Sequence, residues 1–160
     1  MQTKKWALLG GTILVAGLMF CVAAKASPDV FSGTWKMNSA KSKFSPGPAQ
    51  KNVVLVVEAD ENGIKVDVTG LDGADKPMHV QYSAKFDGKD YPATGLPNVD
   101  MISAKRIDSH TIETQQKKDG KVVMTVTSKI SKDGKTRTGT FVGKDAEGHA
   151  VHNVVVYDKQ

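Results

Sequence analysis

A chain of 160 residues with 24% charged residues is long enough for one domain with its own core. Its single cysteine excludes a disulfide scaffold. The formal charge of +5 is spread in mixed runs such as QQKKDGK and SKISKDGK, which excludes the basic footprint of a nucleic-acid binder.

Residues 1–26, MQTKKWALLGGTILVAGLMFCVAAKA, read as an export signal. Lys4 and Lys5 form a basic start, an apolar run follows from Trp6 to Ala24, and Ala24-Lys25-Ala26 has the small-x-small pattern of a cleavage site. A retained anchor helix is the alternative, because about 20 apolar residues span a bilayer. Lipidation at Cys21 ranks below simple export, since the bulky Phe20 precedes it. Cleavage after Ala26 leaves residues 27–160 as one domain, periplasmic or secreted, with no membrane span. Lys4, Lys5 and Lys25 leave with the signal and no acid does, so 19 basic groups face 17 acidic ones. The remaining domain has no cysteine and rests on core packing.

The first strand is FSGTWKM (31–37). The link NSAKSKFSPGPAQK (38–51) follows, with Asn38 or Ser39 capping a helical turn near Phe44 and Ser45-Pro46-Gly47-Pro48 ending it. It is expected to fold over one end of the domain with Phe44 tucked beneath. NVVLVVEA (52–59) is rich in β-branched valine, and GIKVDVTG (63–70) and PMHVQYSAKF (77–86) alternate apolar and polar residues. DMISAKRI (100–107), HTIETQQK (110–117), KVVMTVTSKI (121–130), TRTGTFVG (136–143) and AVHNVVVYD (150–158) continue the series. Asp119-Gly120 and Asp133-Gly134 suit two-residue hairpin turns. DENG (60–63), Asp108-Ser109 and DAEG (145–148) suit tight returns. LDGADKP (71–77) is a longer link, and DGKDYPATGLPN (87–98) is expected to be a loop because its prolines and glycines interrupt any regular element. Nine strands in neighbour-to-neighbour order make an all-β antiparallel meander. Closure into an up-and-down barrel removes its edges, and a β-sandwich is the competing arrangement.

SGTWKMN resembles the Gly-x-Trp signature that opens the first strand of calycin-type barrels, the lipocalins, fatty-acid-binding proteins and avidins. Gly33 and Trp35 match it residue for residue. The resemblance implies that the glycine lets the strand bend and that Trp35 plugs the closed end. The ending NVVVYDKQ is similar to the last strand of fatty-acid-binding proteins, which implies an inward Tyr157. The 38–51 link is too short for the helical lid of those proteins. No second lipocalin motif and no identifiable biotin-binding set is present. The chain also resembles small exported bacterial proteins of uncertain function.

No catalytic or metal motif stands out, and no cofactor is implied. His149 and His152 fall on opposite faces of a strand, and the acids Asp60, Asp72, Asp87, Asp119, Asp133 and Asp145 occupy turns. More informative are polar residues on faces that otherwise read as buried: Arg106 with Ile102 and Ala104, Thr114 and Gln116 with Ile112, Thr138 and Thr140 with Val142, and Asn153 with Val155 and Tyr157. Either they meet water at strand ends, or the interior holds a cavity. A cavity gives a container for a small, largely apolar or amphipathic ligand, lined by Trp35, Tyr82, Phe86, Ile102 (or Met101), Arg106, Met124, Phe141 and Tyr157, with its mouth at the 87–98 loop. Arg106 would hold an acidic head in a bidentate fork. Alternatively, Arg106 or Arg137 stacks on Trp35. The competing functions are a cavity-free envelope module and a barrel isomerase or cyclase with an acid or base beside Arg106.

Overall fold

Val53, Leu55 and Val57 turn to one side of their strand and are buried, while Val56 and Glu58 turn to the other and are exposed. The same alternation runs through Ile64 and Val66, then Val80 and Ala84, then Val155 and Tyr157. One wet and one buried face per strand demands that the sheet curl around its own apolar side. The computed structural model describes residues 29–160, in which the strands close into an antiparallel barrel with no helix. The proposed signal, its cleavage site and Cys21 lie outside the described residues.

The strands are β1 (Gly33–Met37), β2 (Lys51–Ala59), β3 (Gly63–Leu71), β4 (Pro77–Lys85), β5 (Tyr91–Thr94), β6 (Met101–Asp108), β7 (Thr111–Lys118), β8 (Lys121–Ile130), β9 (Thr136–Lys144) and β10 (Ala150–Lys159). Each pairs with its sequence neighbours, and β1 pairs with β10 to complete the ring. The sandwich alternative is thereby excluded.

Three sequence expectations need correction. First, 87–98 is not wholly a loop. Tyr91–Thr94 forms β5, paired through Gln81–Thr94 and Tyr82–Ala93 on one side and through Tyr91–Ile102 and Pro92–Met101 on the other. The prolines and glycines shorten this strand without abolishing it, and Ala93 N–H donates to Asp100 O at 3.0 Å. Second, the inward face of β9 is Arg137, Gly139 and Phe141, while Val142 is 53% exposed. The threonines beside Val142 therefore face outward and explain no cavity. Third, Asp133-Gly134 is not a two-residue turn. Residues 131–135 form the connection, with Gly134 N–H donating to Ser131 O and Asp133 Oδ1 accepting from Lys135 N–H. Asp119-Gly120 does form the expected turn, with positive φ at both residues (49° and 75°).

The 38–51 segment completes the wall beyond the short β1. Asn38 caps a turn, as its Oδ1 accepts from Lys41 N–H, but no helix follows. Lys43 then exchanges both backbone bonds with Val154, and His152 N–H donates to Ser45 O. Phe44 packs, half-buried, against the core.

The opposite end is sealed by a stack of rings and cations. Trp35 is fully buried, its Nε1–H donating to Phe31 O at 2.9 Å, with Lys159 Nζ 5.0 Å from its ring centre. The Arg106 guanidinium lies 4.5 Å from the Phe86 ring and 5.6 Å from that of Phe31. Its Nη2 donates to Asp29 Oδ2 at 2.6 Å and to Asp60 O at 3.0 Å.

Truncating the plug with Trp35→Ala removes a fully buried ring and should cost about 3–5 kcal/mol of stability in urea unfolding; a loss under about 1 kcal/mol would contradict the plug role. Turn carboxylates set the acid limit. Asp60, Asp87 and Asp108 accept backbone N–H bonds from Asn62, Lys89 and His110, which holds each below the usual carboxylate range. Their stabilisation is present above about pH 4, the ordinary carboxylate pKa, and is lost as pH falls through the lowered folded-state values. The urea midpoint should therefore hold from pH 7 to about 4.5 and drop below that; a midpoint flat to pH 2 would refute this account.

Candidate functional site

Above the plug the barrel is not solid. A cavity of about 110 Å³ lies between the inward faces of β2–β4 and β7–β10. Its lining is divided by chemistry. Val53, Leu55, Val66, Val68, Met78 and Val80 make an apolar wall from β2, β3 and β4. Thr114, Gln116, Ser128, Arg137 and Tyr157 bring polar atoms from β7 to β10, with Val126 and Phe141 between them. Tyr82 is the polar group on the β4 side. Gln50 and Leu96 approach from the loops at the end opposite Trp35, so the 87–98 segment does reach the mouth.

Arg137 is the outstanding group. It is 6% exposed. Its Nη2 donates to Ser128 Oγ at 3.1 Å, while Nε and Nη1 have no hydrogen-bond partner. The ion pairs found among the described residues do not include it. Its guanidinium lies 6.0 Å from the Phe31 ring, which Arg106 also approaches, at 5.6 Å. Burial pushes the Arg137 pKa down, opposed by Tyr82 and Tyr157. Burial also pushes Tyr157 up to about 12, and raises Tyr82 against the opposing pull of Arg137 and Thr114. Both phenols keep their protons at neutral pH.

Of the residues expected to line a cavity, Tyr82, Phe141 and Tyr157 do. Trp35, Phe86, Ile102, Arg106 and Met124 do not. Trp35 and Ile102 are fully buried in packed core, and Phe86 and Arg106 belong to the plug. Met124 is half-buried on β8, on the mouth side of Val126. The expected fork from Arg106 to a ligand is already closed on Asp29. Neither arginine is found stacked on Trp35, whose ring faces Lys159 instead.

Sequence reasoning missed Arg137, although a signal for it existed. Phe141 was expected inward, and Arg137 lies four residues before it on the same strand, so period two places both on one face. The hydrophobicity of Val142 pointed to the other face. In the β9–β10 turn, ligand atoms of Asp145, Glu147 and His149 come within 4.8 Å of one another. Asp145 Oδ1 is engaged there by the N–H groups of Glu147 and His149, so this carboxylate builds the turn. Set against models of known protein families and against curated proteins, the chain matches no family model and no curated protein.

Proposed function

We propose that this chain is an exported binding protein that holds a small, largely apolar ligand inside its barrel and does not transform it. The cavity with a divided lining carries this reading. Six aliphatic side chains on one wall supply the non-directional part of binding, and a few placed polar groups opposite fix orientation. A packed structural module has no use for such a void, since each unfilled space forfeits contacts its lining atoms would otherwise make.

Binding is favoured over catalysis by what the lining offers. It contains neither a carboxylate nor an imidazole, and its two phenols are held in the protonated form. General acid–base chemistry wants a group poised near the working pH. The acid nearest an arginine, Asp29, is spent on Arg106 in the plug.

Size narrows the ligand. An apolar cavity of about 150 Å³ takes one benzene, and pockets for drug-sized molecules run to about 300–1,000 Å³. The space here is smaller still and suits a molecule no larger than one ring, or the inner end of a longer one that leaves through the mouth.

Titration of the purified protein with benzene and with benzyl alcohol should shift the methyl resonances of Val53, Val66 and Val126 and leave those of Ile107, on the outer surface, unmoved. A Val126→Trp substitution should fill the space and abolish the response. If wild-type methyl signals stay fixed up to the solubility limit of both probes, the reading fails.

A further inference from the structure

Resting on the small-ligand reading above, we propose that the ligand is a short, singly charged organic acid whose carboxylate is held by Arg137 while its apolar end lies against β2–β4. The argument starts from a charge without a counter-charge. A guanidinium cannot shed its proton in a protein, so Arg137 cannot escape burial by neutralising itself as a lysine would. The chain gives it little in return: one bond to Ser128 Oγ, the face of Phe31 at 6.0 Å, and the neutral phenols Tyr82 and Tyr157. Two of its nitrogens remain unpartnered. Burying a charge in that condition is costly, and the missing anion is not a side chain of the described residues.

The same surroundings specify the anion. One guanidinium among neutral hydroxyls balances one negative charge. A dianion would leave a net negative charge in the same dry place. A planar carboxylate fits the planar fork of arginine. The hydroxyls of Ser128, Thr114, Tyr82 and Tyr157 stand nearby to donate to the oxygens that arginine does not take. The aliphatic wall faces these groups across the cavity, so an amphipathic molecule has one orientation. The volume of about 110 Å³ limits what can be enclosed to an acid of the 3-methylbutanoate class, with a ring acid such as benzoate extending into the mouth. A long acyl chain would have most of its length outside.

Calorimetric titration of the purified protein with benzoate, 3-methylbutanoate, their primary amides, hexadecanoate and phenylphosphonate tests each part. The acids should bind about 10- to 100-fold more tightly than the amides, which have the same shape without the charge. Hexadecanoate should bind no more tightly than 3-methylbutanoate, and phenylphosphonate, at a pH where it is a dianion, more weakly than benzoate. Arg137→Met should bring the acids down to the level of the amides. The same variant should also raise the unfolding midpoint of the ligand-free protein, because it removes an unpaired buried charge. Equal binding of acids and amides to the wild-type protein overturns this proposal and leaves the small-ligand reading standing. Tighter binding of the dianion overturns the single-charge assignment, and a lowered ligand-free midpoint for Arg137→Met makes Arg137 a structural residue. Absence of all binding, benzene included, overturns both readings. The comparison of acid with amide needs no variant, so it decides the matter even if Arg137→Met does not fold.

Discussion

Every part of this barrel depends on one shared edge. The upper half of β10 would be left without a partner beyond the end of β1, which has only five residues. Lys43 and Ser45 supply the missing backbone bonds to Val154 and His152, so the ring closes along the length of β10 by two successive segments. An open edge there would expose a row of unpaired backbone groups ready for another chain. It would also open the interior to water from the side, and the division between the plug and the cavity would disappear. The proline-rich link that looked like a mere connection is therefore part of the wall.

Closure also fixes where charge can sit. Two arginines approach the Phe31 ring, and their surroundings differ. Arg106 has a carboxylate at 2.6 Å, a carbonyl and two aromatic faces, which together offset its removal from water. Arg137 has one hydroxyl bond. Residues that break the rules of stable packing without local compensation tend to mark functional sites, where stability is given up for chemistry. The contrast between these two side chains, more than the presence of a cavity alone, distinguishes the plug from the space above it.

Most of the fold was legible because period-two alternation and turn chemistry act locally. The aspartates that open the returns at Asp60, Asp72, Asp87, Asp108 and Asp145 each accept the N–H two residues on, a preference written in the residue type itself. Gly33 and Trp35 correctly marked the closed end. The site was less legible, for physical reasons. Which of two faces of β9 turns inward depends on pairing with β8 and β10, and Val142 outweighed Arg137 when hydrophobicity alone decided. Likewise Arg106 was placed on the correct face, yet its height along the barrel, and the arrival of Asp29 from the other end of the chain, are matters of tertiary arrangement. Ile102 and Trp35 were expected at the cavity because they face inward. Trp35 is taken up by the plug, and Ile102, paired with Tyr91 and Gln116, is fully covered by packing of its own.

The wall is thinnest at β5, which two residue pairs, Tyr91–Ile102 and Pro92–Met101, join to β6. Between β4 and β5 only two residue pairs, Gln81–Thr94 and Tyr82–Ala93, hold the barrel together, whereas β3 and β4 are joined by nine. Regions with few backbone bonds open at the lowest free energy in native-state fluctuations. Tyr82 belongs to this seam and also lines the cavity. Breathing of β5, held by two pairs on either side, would connect the interior with solvent through the side of the barrel, and the lifetime of any occupant would depend on how often its four residues let go.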